Sequence, residues 1–308
     1  MKQRDQIRAE RLNAALETYN AGRRSLAGIV DPVVRSVFVQ QIIESLHRVE
    51  YPRRLLEREM SHRRADPTDA EFFDPIRGAV YHVSRGDHDE ACWLVFLFVT
   101  YGKGRHTGWR LVRDVYGRLG EGGRWDWPTA SADPTGVSQW VEAHADALWP
   151  KGSPRPFGAH RQRERVAPSA RTLETYLRWI GTDGHQSKFD AAWAESGRNR
   201  KSCFDILYHE MSGVYRFGRL AKFDFLAMLG KLDLAQVEPG STYMTGATGP
   251  VSGARLLFDG DEEASLRARW LDAQLADLDG YLGVGMQVLE DALCNWQKSP
   301  GKFRAFRG

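Results

Sequence analysis

The chain has 308 residues and a formal net charge of +3, and 42% of its residues are hydrophobic and 11% aromatic. This is enough apolar material for one large core or two apposed lobes. Its longest apolar run, residues 91–99, is too short to span a membrane, and no apolar signal-peptide segment follows the charged N-terminus, so we expect a cytoplasmic protein.

The N-terminal quarter of the chain shows helical patterns. Residues 1–25 have the composition of a charged helical extension. Asp31 then supplies an N-cap, Pro32 fits the first helical position, and apolar residues recur every three or four positions up to about residue 49. We therefore predict an N-terminal extension, 1–25, followed by a single catalytic domain, 26–308.

The next segment contains the most hydrophobic helix of the chain. Asp87 and Glu90 have the spacing of a capping box, and they directly precede the apolar run 91–99. An unbroken apolar run predicts a helix that is buried on nearly every side. Helical spacing continues over 109–119, where interspersed arginines predict a half-exposed, basic helix.

Residues 121–170 are rich in Gly, Pro, Ser and Trp, with short helical pieces at most around 137–148. We interpret them as a loop-rich connection between two lobes, about 26–120 and 171–308. Helical patterns resume after the connection, over 172–180, 204–215, 219–232, 263–278 and 284–296. Alternating strand patterns and internal repeats are absent from the sequence, so the predicted fold class is all-α with long loops.

The cysteines and histidines do not form a metal motif. Cys92, Cys203 and Cys294 are widely spaced, which indicates free, reduced thiols. The histidines are scattered, without an HxH, HExxH or paired Cys/His arrangement. We therefore expect neither a metal nor a cofactor.

The basic residues are clustered, whereas acidic residues collect over 259–291. Such asymmetry is typical of a protein with one face toward nucleic-acid phosphates, although a mixed solvated surface explains it equally well. The three clusters are Arg105, Arg110, Arg113 and Arg118; Arg155, Arg161, Arg163 and Arg165; and Arg198, Arg200, Lys201, Arg216, Arg219 and Lys222.

The stretch 216–234, RFGRLAKFDFLAMLGKLDL, predicts an almost wholly apolar helix that carries one carboxylate, Asp224. A partly buried carboxylate is costly unless it is paired or functional. Asp224 is therefore either the partner of an arginine, an amide or a helix N-terminus, or a member of an active site, and the two interpretations are equally weighted.

Two further stretches are candidates for a pocket. The segment 238–255, EPGSTYMTGATGPVSGAR, is glycine-rich, and glycine lets a nucleic-acid backbone or an extruded base approach closely; it lacks the order of a Walker loop and is also compatible with an ordinary loop. In LEDALCNWQKS, Glu290, Cys294 and Lys298 recur every four residues and Asp291 and Asn295 form an adjacent stripe, so polar groups concentrate along one helical side. They form either a pocket wall or the exposed face of a terminal helix.

Three other motifs precede these stretches along the chain: HRVEYPRRL, DEACWLVFLFVTYGKGRHTGWRLVRDVYGRLG and PFGAHRQRER. Together they resemble the alpha-glutamyl/putrescinyl thymine pyrophosphorylase superfamily, the amino acid:DNA transferase-like proteins of phages and bacteria, and most closely its third clade. The resemblance covers about residues 37–296.

The resemblance implies a two-lobed helical fold related to DNA glycosylases, with a pocket for a base swung out of the duplex. It also implies one of two activities: replacement of a pyrophosphorylated hydroxymethyluracil group, or excision of glucosylated hydroxymethylcytosine. Where other clades have Gly-x-Gly before a helix with glutamine, this chain has Phe217-Gly218 and Asp224. A carboxylate there favours chemistry at the sugar, and the lysine of lyase-type glycosylases is not evident.

The leading hypothesis is a monofunctional DNA glycosylase, a monomer without cofactor, that excises a hypermodified pyrimidine from double-stranded phage DNA in anti-phage defence. The alternatives are a hypermodified-thymine transferase and a non-catalytic reader of modified DNA. Asp224 is the predicted catalytic residue. The predicted base pocket comprises Trp109, Tyr243, Thr245, Gly246, Glu290, Asn295 and Lys298, and the predicted phosphate contacts are Arg105, Arg110, Arg113, Arg161, Arg163, Arg219, Lys222 and Arg255.

Overall fold

The computed structural model describes residues 3–161 and 164–305. Over these residues the chain forms α-helices and short 3-10 turns, and its β-pairing is confined to isolated bridges at Gly104. The all-α prediction is confirmed. The α-helices are α1 (Gln3–Gly22), α2 (Pro32–Leu56), α3 (Pro75–Ser84), α4 (His88–Tyr101), α5 (Arg110–Tyr116), α6 (Trp127–Ala132), α7 (Pro134–Ala143), α8 (Ala145–Leu148), α9 (Val166–Ile180), α10 (Gly184–Glu195), α11 (Arg200–Glu210), α12 (Arg219–Lys231), α13 (Gly249–Asp259), α14 (Ala268–Leu282) and α15 (Met286–Trp296).

The chain divides into two compact units. Unit 1 combines two separate stretches of the sequence, 3–51 and 239–305. Unit 2 is the segment between them, 52–161 with 164–238. The lobe boundaries expected near 120 and 171 therefore both fall inside unit 2. The expected N-terminal extension is α1, which packs on α14 and buries Leu12 and Leu16 in the core of unit 1.

Helix α13 lies close against α15 because two glycines of α13 face α15. A Cβ added to Gly249 would lie 2.9 Å from the Cys294 Sγ, and one added to Gly253 would lie 2.4 Å from the Leu293 carbonyl oxygen. These positions leave no room for a side chain. The stretch 238–255 is consequently not loop throughout, since it becomes helical at Gly249, where Pro250 occupies the first turn.

Unit 2 is built around α4, in which every residue from Glu90 to Tyr101 is buried. Helices α3, α10 and α12 pack against it, so the prediction of a helix covered on nearly every side is confirmed. The predicted capping box is wrong, because the Asp87 side chain makes no capping bond to the α4 backbone. The Glu90 carboxylate instead accepts hydrogen bonds from the Tyr116 hydroxyl at 2.5 Å and the Trp127 amide at 2.6 Å.

The segment 121–170 contains more helix than expected: α7 and α8 coincide with the expected pieces around 137–148, whereas α6 and the start of α9 were not expected. Asp126 caps α6 by accepting from the Thr129 amide at 3.1 Å, and Asp133 caps α7 by accepting from the Gly136 amide at 2.8 Å. A proline follows each cap within the first turn. Helix α7 then packs along α9, so the segment belongs to the folded body of unit 2.

All three cysteines, Cys92, Cys203 and Cys294, are free, as expected. Among the helices of the described residues, none combines the length and apolarity needed to cross a membrane. Helices α3 and α10 were not expected from the sequence.

The burial of Glu90 gives the fold a pH dependence. The side chain is 2% exposed, and desolvation raises the pKa of its carboxyl from 4.5 to about 7 despite the hydrogen bonds from Tyr116 and Trp127. The folded state therefore binds a proton that the unfolded chain releases near pH 4.5. Stability contributed by this proton is fully present below pH 4.5 and is lost as the pH rises toward about 7.

We predict that Glu90→Gln removes this dependence, because glutamine is neutral at every pH and retains an acceptor and a donor. Between pH 5 and pH 8, the free energy of unfolding of the variant should rise relative to the original protein by up to roughly 3 kcal/mol. Urea titrations at both pH values measure the difference. Glu142→Gln on the surface of α7 is the matched control, and a constant difference for Glu90→Gln would contradict the assignment.

Candidate functional site

Asp224 is positioned by the aromatic packing between α12 and α4. Its neighbour Phe225 is fully buried and meets Phe96 of α4 edge-on, with 5.8 Å between ring centroids. Phe96 in turn stacks on Tyr176 of α9. Because Phe225 is locked between α4 and α9, the rotation of α12 about its axis is fixed and Asp224 is left partly exposed.

Arg161 reaches Asp224 from a segment 63 positions earlier in the sequence. Its Nη2 lies 3.6 Å from the Asp224 Oδ2, while its Nε donates to the Val99 carbonyl oxygen of α4 at 2.8 Å. The Arg161 side chain is 10% exposed. The guanidinium therefore links the end of α4 to the carboxylate of α12, and the distance to Asp224 is longer than that of a close ion pair.

The segment that carries Arg161 crosses the end of α4 where two glycines touch. A Cβ on Gly102, which has φ +69°, would lie 2.8 Å from the Gly158 Cα, and a Cβ on Gly158 would lie 2.9 Å from the Gly102 Cα. The Gly158 amide donates to the Tyr101 carbonyl oxygen at 2.9 Å. The glycine in PFGAH is thus required for the close approach that brings Arg161 to Asp224.

The Asp224 carboxyl combines access to water with strong desolvation. Its side chain is 39% exposed, yet desolvation by the surrounding protein raises the pKa of the carboxyl above the usual aspartate range. The positive charges of Arg161, His160, Lys231 and Arg219 act in the opposite direction. A carboxylate that water reaches and that protein atoms nevertheless desolvate is in a setting typical of functional acids.

A second set of contacts holds the Arg161 segment in place. Arg155 donates from its Nη2 to the carbonyl oxygens of Arg161 and Glu164, the latter at 3.2 Å. The Glu164 carboxylate lies 3.6 Å from the Nη2 of Arg216, which follows α11. The segment is therefore attached at both sides of Arg161.

The predicted phosphate-contact residues near α5 differ in their surroundings. Arg113 donates to the Asp114 carboxylate at 2.7 Å, and the Arg110 Nε lies 3.8 Å from the same carboxylate. Arg105 is exposed and forms no ion pair with any residue in the described ranges. Arg105 therefore presents a full positive charge to solvent, whereas Asp114 offsets the charges of Arg110 and Arg113.

The two α12 residues that were predicted to contact phosphate also differ in their exposure and contacts. Arg219 is partly exposed and acts on Asp224 through its charge. Lys222 is buried, with its Nζ 4.1 Å from the Tyr208 ring centroid and donating to the Ser212 Oγ at 3.1 Å. Desolvation lowers the pKa of the Lys222 amine. Arg163 lies outside the described residues.

The predicted base-pocket residues are divided between the units. Trp109 belongs to unit 2, half-buried beside Phe98 at 6.1 Å between ring centroids, and the others belong to unit 1. Of these, Thr245 and Gly246 are exposed, and Gly246 has φ +79°. Arg255, predicted to contact phosphate, is in unit 1 and donates to the Leu266 carbonyl oxygen at 3.4 Å.

Tyr243 occupies a strained position that one carboxylate stabilises. Its φ is +50°, uncommon for an aromatic residue. Asp272 of α14 accepts from the Ser241 Oγ at 2.8 Å, the Thr242 Oγ1 at 2.6 Å and the Met244 amide at 3.2 Å. The residues on both sides of Tyr243 are thus tied to α14, and its own side chain remains partly exposed.

The polar residues of α15 form a network with α2. Asp291 accepts from the Ser45 Oγ at 2.7 Å, from the Arg48 Nη2 at 2.7 Å and from the Asn295 Nδ2 at 2.9 Å. The Lys298 Nζ donates to the Asn295 Oδ1 at 3.1 Å, while Glu290 is buried. The contact between Lys298 and Asn295 belongs to a network that also joins α15 to α2.

Sequence reasoning missed several residues around Asp224. His160, Arg155 and Lys231 influence or support the site, and PFGAHRQRER contains the first two. Their density of positive charge was visible in the sequence, whereas their proximity to α12 was not. Lys231 was hidden because it lies seven positions after Asp224 on α12, two helical turns along the same face.

In the ranges 3–161 and 164–305, no group of three or more His, Cys, Asp or Glu side chains is arranged to hold a metal ion. Neither a curated protein nor a solved structure matches the chain. A family sequence model does match, over residues 33–308, and its description is alpha-glutamyl/putrescinyl thymine pyrophosphorylase clade 3. Membership in such a family indicates an enzyme that acts on modified bases in DNA. Because the match covers most of the sequence, the chain belongs to clade 3 of the alpha-glutamyl/putrescinyl thymine pyrophosphorylase family.

Proposed function

We propose that this protein is a monofunctional DNA glycosylase that excises a hypermodified pyrimidine, such as a glucosylated hydroxymethyl base, from phage DNA and leaves an abasic site in anti-phage defence. The observation that supports this proposal is the Asp224 carboxylate, which is water-accessible, desolvated and 3.6 Å from Arg161. The family supports a modified base as the target.

The proposed reaction begins with departure of the base. The bond between the sugar C1′ and the base nitrogen breaks, its electron pair leaves with the base, and the sugar becomes oxocarbenium-like. The Asp224 carboxylate stabilises this cation electrostatically, which is most effective where protein atoms exclude water. A water molecule then forms the new bond to C1′ and transfers a proton to the carboxylate, which returns the proton through solvent to the departed base.

Arg161 has a positioning role in this proposal. Anchored by the Val99 carbonyl oxygen, its guanidinium opposes the effect of burial and keeps the pKa of Asp224 lower than desolvation alone would set it. At 3.6 Å the pair is loose enough that the carboxylate keeps exposed surface for the sugar. A close bidentate pair would neutralise the charge that the oxocarbenium ion requires.

The substrate also has to reach Asp224. A nucleotide extruded from the duplex exposes its sugar, at a cost of a few kcal/mol, and an aromatic side chain offsets part of that cost by stacking on the base. Trp109 belongs to the same unit as Asp224 and is the proposed stacking residue.

We predict that Asp224→Asn slows base release by roughly 10²-fold or more, since it removes the charge and keeps the size of the side chain. DNA binding and melting temperature should be retained. The measurement is single-turnover release of base from hypermodified DNA, and Asp233→Asn, at an exposed position just after α12, is the matched control.

Other outcomes identify other roles for Asp224. A melting temperature lowered by several degrees, with an unchanged rate per folded molecule, would assign Asp224 to neutralising Arg161. The products separate the enzyme classes: free base with alkali-labile sites is expected, a mass change on the retained base would mean a transferase, and binding without change would mean a reader.

The raised pKa of Asp224 predicts the acid side of the pH profile. The carboxylate is the active form, so single-turnover base release should fall as the pH drops through the pKa of Asp224. Because that pKa lies above the usual aspartate range, the fall should begin at a higher pH than an ordinary aspartate would give. A profile that stays flat down to the usual aspartate range would contradict the role of Asp224.

Affinity for DNA should decrease as the salt concentration rises. Arg105 and Arg113 differ in their surroundings, so we expect them to contribute unequally to this salt dependence. We predict that Arg105→Ala lowers the slope of log affinity against log salt concentration by roughly 0.9, since an exposed arginine releases about one counterion from duplex DNA. Arg113→Ala is the matched control and should change the slope less, because Asp114 already pairs with Arg113. Equal slopes in the two variants would contradict a phosphate contact at Arg105.

A further inference from the structure

Trp149 directly follows α8 in unit 2, where one backbone contact and two ring contacts position it. Its backbone amide donates to the Ala145 carbonyl oxygen at 3.0 Å. The indole N–H donates to the Ser153 carbonyl oxygen at 3.3 Å, and the ring lies edge-on to buried Phe157 with 6.0 Å between centroids. The side chain is nevertheless partly exposed. A fixed aromatic surface that solvent reaches loses little conformational entropy on binding.

Two guanidinium groups lie over the Trp149 ring. The Arg155 Cζ is 5.5 Å from the ring centroid, and the Arg165 Cζ is 5.7 Å from it. Arg155 is anchored, because it donates to the carbonyl oxygens of Arg161 and Glu164. Arg165 is exposed and donates to the carbonyl oxygen of its neighbour Glu164 at 3.1 Å. One guanidinium is therefore fixed, while the other is free to leave the ring at little cost.

The charge around Trp149 fits a polyanion. Residues 149–165 include five Lys or Arg residues and one acidic residue, Glu164. The Glu164 carboxylate lies against Arg216, so it does not neutralise Arg165. Lys151 and Arg165 are both exposed. A partly exposed tryptophan within a basic segment matches the two chemical features of a nucleotide, a flat aromatic base and an anionic phosphate.

We propose that Trp149, Arg155 and Arg165 bind an unpaired base of nucleic acid together with its adjoining phosphate, at a site that is separate from Asp224. The base takes the place of Arg165 over the indole ring, and the released guanidinium pairs with the phosphate. Arg155 stays over the ring and keeps its hydrogen bonds to the carbonyl oxygens of Arg161 and Glu164. Bases in an intact duplex have covered faces, so the site selects nucleotides that have left the stack.

This site does not depend on the reaction at Asp224, and its test uses unmodified DNA. Two probes are compared by fluorescence anisotropy: a fully paired duplex and the same duplex with a three-nucleotide single-stranded bulge. Trp149→Ala should weaken binding of the bulged probe by about tenfold, the usual scale for loss of one base–aromatic stack, and leave the paired probe within about twofold. Trp149→Phe should restore most of the loss.

Trp193→Ala is the matched control, since Trp193 is a half-buried tryptophan of α10 in the same unit and lies outside the basic segment. The proposal is overturned if folded Trp149→Ala binds the bulged probe normally, if it loses affinity for both probes equally, or if Trp193→Ala causes the same selective loss.

If Trp149→Ala does not fold, Arg165→Ala decides the question. Measured on a single strand, its slope of log affinity against log salt concentration should be lower by about 0.7, the value for one phosphate contact on single-stranded nucleic acid. An unchanged slope overturns the proposal. Base release by the original protein is measured separately from these binding tests. Failure of the Trp149 proposal is therefore distinguishable from failure of the glycosylase proposal.

Discussion

The packing of Phe96 determines where Asp224, the proposed catalytic residue, is placed. Phe96 lies on a helix without an exposed face, stacks on Tyr176 and receives the edge of Phe225. Each of these rings is fully buried, so none moves without leaving a cavity that costs several kcal/mol. Asp224 is adjacent to Phe225, and its position is therefore set by a core that takes no part in the reaction.

Several features of this arrangement were predictable from the sequence because they are local. The unbroken apolar run 91–99 predicted the central helix, and the apolar surroundings of Asp224 predicted a partly buried carboxylate with an arginine as one of its possible partners. Asp followed by Pro predicted the start of α2 at Asp31, and the same signal occurs at Asp74 and Asp133, which begin α3 and α7. Those two helices were therefore predictable in principle.

Other features depend on contacts between distant parts of the chain. The Arg161 partner of Asp224 was not identifiable, because nothing in a single sequence reveals that two glycines allow one segment to cross the end of another. Spacing also misled: Glu90 has the position of a capping residue, but Tyr116 and Trp127 take its oxygens. The glycines of 238–255 divide between a loop and a helix contact, since Gly246 has a left-handed backbone whereas Gly253 faces α15.

Unit 1 is built from two separate stretches of sequence, so its two parts are synthesised by the ribosome at different times. Helices α1 and α2 are synthesised first, with Leu12, Leu16 and Phe38 destined for a core whose other half belongs to α13, α14 and α15. While unit 2 is being synthesised, these apolar faces have no partner to pack against. Apolar surface exposed on a nascent chain is a target for chaperones. Unit 2 is continuous in sequence, so it is free to fold during that interval, and unit 1 is completed only after unit 2 has been synthesised.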